Sequence, residues 1–211
     1  MKVVARTKTF AVIDDLLTPD LHLGVWLDLQ SEDYSSKNLL DHYNKLWRLG
    51  NTLPVSTTAY LSSTGFPKDR PYIPLLASAF CQVADNFPEL VGKSGDLRIH
   101  AQLFSRGVKI GWHLDSHSAG SFTYYAHPKW SANWGGELFV PDGLPPQADP
   151  LPTTYDFLIE EEMLANGVGF YITPKPNRLI LLAPGVMHCV NRVDDDAGDH
   201  LRATVVGFML K

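Results

Sequence analysis

The sequence predicts a mainly β protein, a double-stranded jelly-roll barrel with N-terminal helices packed on one of its sheets. Two observations carry this prediction. After residue 95 the chain breaks into short runs rich in β-branched and aromatic residues, separated by Gly, Pro, Asn and Asp, whereas before it apolar residues recur at helical spacing. With 211 residues and 45% hydrophobic content, the chain is long enough for one sizeable core. We expect a single domain over 1–211, in which 1–95 form a mainly helical support and 96–211 form the barrel.

The N-terminal part opens with an extended run at 8–13 and then favours helices. Thr18 can cap a helix and Pro19 can occupy its first turn, because proline has no N–H and its fixed φ suits that position. Apolar residues at helical spacing predict two further helices, at 36–48 and 71–87.

The barrel strands follow from turn residues placed at fairly regular intervals. The predicted strands are 97–104, 111–115, 121–126, 137–140, 169–172, 178–182, 187–192 and 201–210. Eight short antiparallel strands are typical of a double-stranded β-helix of the cupin kind. The connection 142–166 interrupts this rhythm with four prolines, six acidic residues, no Lys or Arg, and a predicted helix at 156–164. A connection of this length is typical of a lid or a solvated surface excursion, and both interpretations stay open.

Composition excludes several classes of function. The net charge is -5 and the chain has no basic run, which argues against nucleic-acid binding. No stretch approaches the ~20 apolar residues of a membrane helix, and the N-terminus does not resemble a secretory signal. Cys81 and Cys189 form no metal-binding pair, so we expect two buried thiols. Together these features predict a cytoplasmic protein.

A metal site is predicted from His113, Asp115 and His188. Side chains two residues apart on a strand share one face, with Cα atoms ~6.6 Å apart, so His113 and Asp115 can reach one point inside the barrel. His188 follows a buried run and a tight turn at 180–185 and can arrive from a distant strand. Two imidazoles and one carboxylate on one face of an octahedron suit Fe(II) and leave three adjacent positions open.

An anion site is predicted beside the metal. Arg202 and Thr204 share a face of an otherwise apolar strand, where a guanidinium needs a buried partner. A guanidinium holds a carboxylate with two parallel hydrogen bonds, and a nearby hydroxyl can donate a third. The pair therefore predicts a carboxylate receptor.

These residues resemble the 2-oxoglutarate- and Fe(II)-dependent oxygenases over roughly 98–210. The H-x-D motif with a distal histidine is similar to the iron ligands of that superfamily, and Arg202 with Thr204 to its 2-oxoglutarate site. The segments 125–130, 134–138 and 176–179 look like the prolyl-hydroxylase-like branch. Prolyl 4-hydroxylases usually carry Lys where Arg202 stands, which disfavours prolyl hydroxylation.

The resemblance implies Fe(II) as cofactor, 2-oxoglutarate as cosubstrate and O2 as oxidant. It also implies release of succinate and CO2 with hydroxylation, or a related oxidation, of a C–H bond. Halogenases of this class replace the carboxylate ligand with a small residue, so the intact Asp115 argues against halogenation. Gln102 and Tyr125 are expected to hydrogen-bond the cosubstrate from inside the barrel.

The substrate is expected to be a small molecule, such as an amino acid or a natural-product intermediate, because no peptide-docking module is evident. A protein or carrier-bound substrate stays open, and the acid-rich connection weakly favours a cationic group. Trp112, His117 and Trp134 are candidate substrate contacts. Two other functions remain: a cupin-like metalloenzyme such as an isomerase, and a non-catalytic barrel that binds a small molecule.

Overall fold

The computed structural model describes residues 1–36, 54–56, 60–66, 68–92, 96–115, 118–143, 161–165 and 167–211. Its helices are α1 (Pro19–Gln30), α2 (Tyr72–Ala84), a helical turn at 161–165 and a 3-10 turn (Asp195–Ala197). Its strands are β1 (Lys2–Arg6), β2 (Phe10–Asp14), β3 (Tyr34–Ser36), β4 (Pro54–Ser56), β5 (Tyr60–Leu61), β6 (Leu97–Phe104), β7 (Ile110–His113), β8 (Ser118–Tyr125), β9 (Leu138–Pro141), β10 (Gly169–Ile172), β11 (Leu179–Leu182), β12 (His188–Val190) and β13 (Arg202–Leu210). Within these residues no helix is both long and apolar enough to cross a membrane.

The strands form two antiparallel sheets. The larger sheet has the order β1-β2-β11-β8-β13-β6-β4-β3, with β5 also paired to β6, and the smaller sheet has the order β10-β9-β12-β7. The predicted jelly-roll fold is thereby confirmed. All eight predicted strand segments contain a strand, and 97–104 and 169–172 have the predicted bounds. Strand β7, however, ends at His113, so Asp115 lies just beyond it.

The N-terminal part contains more β structure than the sequence predicted. Of its five described strands, only the run containing β2 was expected. Strands β3, β4 and β5 have two or three residues each, too short for an alternating pattern to show in the sequence. The helix predicted at 36–48, apart from Ser36 at its start, lies outside the described residues. So does most of the connection 142–166, of whose predicted helix only the turn beginning at 161 is described.

Both N-terminal helices contact β8 of the larger sheet. The hydroxyl of Thr18 accepts a hydrogen bond from the backbone N–H of Leu21, which caps α1 as predicted. In α2, the buried ring of Phe80 stacks on Phe122 with a centroid separation of 4.9 Å. In α1, Nδ1 of His22 lies 2.7 Å from the hydroxyl of Tyr124.

The two cysteines differ in burial. Cys189 lies on β12 and is buried, as expected, whereas Cys81 on α2 is exposed. The expectation of two buried thiols was therefore wrong for Cys81, because the apolar positions around it on α2, among them Phe80, take the side of the helix that faces the sheet.

Candidate active site

The smaller sheet brings the three predicted metal ligands together. His113 ends β7 and His188 begins β12, and the two residues are direct partners in the antiparallel register. Their ring centroids are 4.2 Å apart, and Nε2 of His188 lies 3.7 Å from Oδ2 of Asp115. The possible ligand atoms of the three residues all lie within 4.8 Å of one another. Residues 75 positions apart in the chain thus converge on one point.

Backbone carbonyls orient both imidazole rings in the same way. Nδ1 of His113 lies 2.8 Å from the carbonyl oxygen of Gly111, and Nδ1 of His188 lies 2.9 Å from that of Val186. A carbonyl oxygen only accepts hydrogen bonds, so Nδ1 carries the proton in each ring and Nε2 keeps its lone pair. This is the arrangement that orients histidine ligands in metal sites.

The protonation state of His113 suits metal binding. Burial, and then the proximity of His188, lowers the pKa of His113 to about 4. The ring is therefore neutral near pH 7, which is the form that coordinates a cation.

The three residues line one end of a cavity of about 210 Å³ between the two sheets. Strands β6 and β13 supply much of the opposite wall, because alternate residues of each strand face the barrel interior. The lining residues of these two strands are Arg98, His100, Gln102, Phe104, Arg202, Thr204, Val206 and Phe208.

Arg202 is buried in this wall and has no ion-pair partner in the part of the chain that the structure describes. Only 1% of the residue is exposed, and among the described residues no carboxylate lies within ion-pair distance of its guanidinium. Nε donates a 2.7 Å hydrogen bond to the carbonyl of Gly136, and the guanidinium lies over the rings of Phe104 and Tyr125 at 4.5 and 4.9 Å. Burial lowers its pKa from the usual value. A buried cation held in this way is suited to an anion from outside the chain.

The residues predicted to assist Arg202 lie close to it. Gln102 and Thr204 line the cavity and pair in register on β6 and β13. The hydroxyl of Thr204 is 3.5 Å from the carbonyl oxygen of Gln102. The Tyr125 hydroxyl accepts a 3.4 Å hydrogen bond from Nη2 of Arg202. Gln102, Thr204 and Arg202 thus line the cavity together, whereas Tyr125 contacts Arg202 and is not among the lining residues.

Two of the predicted substrate contacts, Trp112 and Trp134, are not among the residues that line this cavity. Trp112 lines a separate, apolar cavity of about 320 Å³ with Phe139 and Tyr171, because the alternation that turns His113 inward turns its neighbour outward. Trp134 stacks on His200 at 4.4 Å and is not among the residues that line the triad cavity. His117 lies outside the described residues. The assignment of Trp112, His117 and Trp134 as substrate contacts stays a prediction.

Several residues of the site were not singled out from the sequence, among them Arg98, Phe104 and Gly136. Arg98 and Phe104 line the cavity on the same face of β6 as Gln102, so period-2 alternation could have found both. Gly136 has a φ of +75°, and a Cβ atom there would lie 2.6 Å from Cδ of Arg202. No local pattern predicts that contact, because the two residues are 66 positions apart.

No protein-family model matches the chain, and no curated protein matches it in sequence. Solved structures match its fold. A prolyl hydroxylase from Trichoplax adhaerens, in complex with a hypoxia inducible factor peptide fragment, has a TM-score of 0.63 and 16% identity, covering 97% of this chain and 84% of that one. The epimerase SnoN, in complex with Fe3+, alpha ketoglutarate and nogalamycin RO, has a TM-score of 0.62 and 13% identity, covering 96% and 79%.

A Pseudomonas putida prolyl-4-hydroxylase has a TM-score of 0.61 and 15% identity, covering 96% of this chain and 92% of that one. These likenesses extend over nearly the whole chain and include the N-terminal part. The chain therefore has the fold of the 2-oxoglutarate- and Fe(II)-dependent oxygenases, the fold that the resemblance of its motifs predicted.

Proposed function

We propose that the protein is an Fe(II)- and 2-oxoglutarate-dependent dioxygenase that hydroxylates, or otherwise oxidises, an unactivated C–H bond of a small molecule, with release of succinate and CO2. One observation carries the proposal. Two histidines and a carboxylate with converging ligand atoms share a single cavity with a buried guanidinium that has no ion pair among the described residues. Three metal ligands alone are found in many classes of enzyme. A buried guanidinium in the same cavity adds a site for the second carboxylate of a diacid that chelates the metal.

The ligand set fits ferrous iron. His113, Asp115 and His188 would hold the ion with two imidazole nitrogens and a carboxylate oxygen, the set used by non-haem Fe(II) oxygenases. When bound, the iron supplies open positions for the cosubstrate and O2 and the oxidising chemistry that acts on the C–H bond. The carbonyls of Gly111 and Val186 keep Nε2 of each imidazole ring directed towards the place where the ligand atoms of the three residues converge.

The residues of the opposite wall would bind and orient the cosubstrate. Arg202 would hold the distal carboxylate of 2-oxoglutarate with two parallel hydrogen bonds. The rings of Phe104 and Tyr125 limit the movement of its guanidinium, and their burial excludes water that would weaken the charge interaction. The Thr204 hydroxyl and the Gln102 amide, which line the same cavity, would hydrogen-bond the same diacid.

Two further parts of the proposal are the product of the oxidation and the size of the substrate. SnoN is an epimerase, so attack on a C–H bond need not end in hydroxylation in this fold. The Trichoplax enzyme is solved with a peptide, so a protein or carrier-bound substrate is the alternative that a substrate screen must include. The small cavity, about 210 Å³ with the cosubstrate still to be accommodated, favours a small molecule.

The ligand variants test the proposal. We expect His113→Ala, Asp115→Ala and His188→Ala each to weaken Fe(II) binding and to abolish succinate release from 2-oxoglutarate, because each removes one of three ligands. Metal content after dialysis and succinate yield under air measure the two effects. His200→Ala serves as the matched control, since this exposed histidine stacks on Trp134 outside the cavity.

The alternatives give different results in the same assays. A cupin-like isomerase or a non-catalytic barrel would retain metal through the triad but release no succinate when 2-oxoglutarate is added. Wild-type protein that binds iron without turning over 2-oxoglutarate, or a triad variant that keeps full turnover, would refute the oxygenase assignment.

A further inference from the structure

Arg98 lines the same cavity as the triad but at a different place from Arg202. Its side chain is exposed, and within the described part of the chain it has no hydrogen bond or ion pair. It shares the inward face of β6 with Gln102 and Phe104, as strand alternation requires. The cavity therefore has a second guanidinium, and this one is open to solvent.

The two arginines are too far apart to bind the same small diacid. In the register of β6 and β13, Arg202 pairs with Phe104 and Phe208 pairs with Arg98. Six residues of antiparallel strand separate the Cα atoms of Phe104 and Arg98 by about 20 Å. The Arg202 guanidinium stays at the Phe104 end of this span, because it lies over the Phe104 ring at 4.5 Å. A five-carbon diacid is about 7 Å long, the span of two extended residues. A 2-oxoglutarate molecule held by Arg202 therefore leaves Arg98 free.

The wall near Arg98 combines an apolar floor with unpaired hydroxyls. Phe208, stacked with His100 at a centroid distance of 5.8 Å, and Val206 supply apolar surface. Ser121 and Thr123 line the cavity from β8, and no hydrogen bond of either side chain is found among the described residues. This combination suits the body and the polar groups of a small organic molecule.

The charge of the cavity favours an anion. Of the described residues that line it, Asp115 is the single carboxylate, and it would be bound to the metal. Arg98 and Arg202 both add positive charge. The acidic residues of the connection 142–166 predicted a substrate with a cationic group. The side chains that line the cavity favour a substrate with an anionic group instead.

We propose that Arg98 binds a carboxylate of the substrate and so selects small organic acids. The proposal rests on the proposed function, because it places this substrate beside the cosubstrate. One guanidinium offers a planar pair of donors that matches a carboxylate with two parallel hydrogen bonds, and a phosphate monoester is the competing anion that the test includes. Bound at Arg98, the acid would lie against Phe208 with its carbon chain extending towards the triad.

Binding to matched ligand pairs tests the proposal without turnover. The protein is loaded with Mn(II) and 2-oxoglutarate without oxygen, and calorimetry measures the affinity of amino acids and short carboxylic acids against their primary amides. Phosphate monoesters form a third arm. We expect acids to bind, and their amides to bind about ten- to a hundredfold more weakly, the range of a hydrogen-bonded charge pair.

Two variants locate the preference. Arg98→Gln should remove it, weakening acids to the level of their amides. Arg106→Gln, which removes an exposed arginine outside the cavity, should keep it. Equal binding of acids and amides to the wild type, survival of the preference in Arg98→Gln, or binding of phosphate monoesters in place of acids would overturn the proposal. The oxygenase function is tested by succinate release from the wild type, whereas carboxylate binding by Arg98 is tested without turnover. Either proposal can therefore fail while the other stands.

Discussion

Gly136 determines where the Arg202 guanidinium can lie, and Gly136→Ala tests that dependence. The carbonyl of Gly136 accepts a 2.7 Å hydrogen bond from Nε of Arg202. A Cβ atom at this position would lie 2.6 Å from Cδ and 3.2 Å from Nε of the same side chain. The first distance is shorter than any normal carbon–carbon contact, so the arginine has to move away from its position beside the cavity.

Two separate costs follow from the structure. Placing alanine at a φ of +75° costs about 1–2 kcal/mol of stability, because Cβ crowds the following carbonyl. Moving the guanidinium would weaken the proposed charge-assisted contact with the 2-oxoglutarate carboxylate, and a contact of this kind is worth about 1.5–3 kcal/mol. We therefore expect the 2-oxoglutarate requirement to rise about ten- to a hundredfold.

Gly65→Ala separates the two costs. Gly65 has a φ of +84°, and no atom lies within 4 Å of the position of an added Cβ. Alanine at this position therefore has the unfavourable backbone conformation but no clash with another side chain. Succinate release measured against 2-oxoglutarate concentration, together with denaturant unfolding, should show a stability loss in both variants and a raised requirement only in Gly136→Ala. Arg202→Ala sets the upper limit of the effect. If Gly136→Ala keeps the requirement of Gly65→Ala, Arg202 is not positioned by this contact.

Two further predictions concern the larger sheet and its helices. Burial raises the pKa of Asp14, but hydrogen bonds and charges from Arg178 and Lys175 outweigh it and hold that pKa below its usual value. The stability that Asp14 adds is thus present above its unfolded pKa of about 3.9 and lost as pH falls through the lower folded value. The advantage of the wild type over Asp14→Asn in denaturant titrations should shrink as the pH falls below about 4, and an unchanged difference would contradict this. Phe80→Ala should lower the free energy of unfolding by about 3–5 kcal/mol, because it removes a buried ring from the contact between α2 and β8. Leu75→Ala, at an exposed position of the same helix, should cost far less, and equal losses would show that α2 does not pack as described.

Local patterns in the sequence predicted the barrel strands and several of the side chains that line one cavity. The run predicted at 97–104 from its residue types and the turn residues around it has the observed bounds of β6, since these residue types favour a strand and the turn residues end it. The i and i+2 spacing of His113 and Asp115 and of Arg202 and Thr204 likewise predicted which side chains share a face. These properties depend on neighbours in the chain, and therefore the chain order alone determines them.

Partners that are distant in the chain were decided only by the tertiary structure. The register that sets His188 opposite His113, the carbonyl of Gly136 beside Arg202, and the place of Arg98 some distance along the cavity wall all depend on which strands pair and how they are aligned. The surroundings of Trp112 were likewise decided by the tertiary structure, because they depend on what packs against the outer face of the smaller sheet. Strand pairing depends on the free energy of the whole fold, and no short stretch of sequence specifies it.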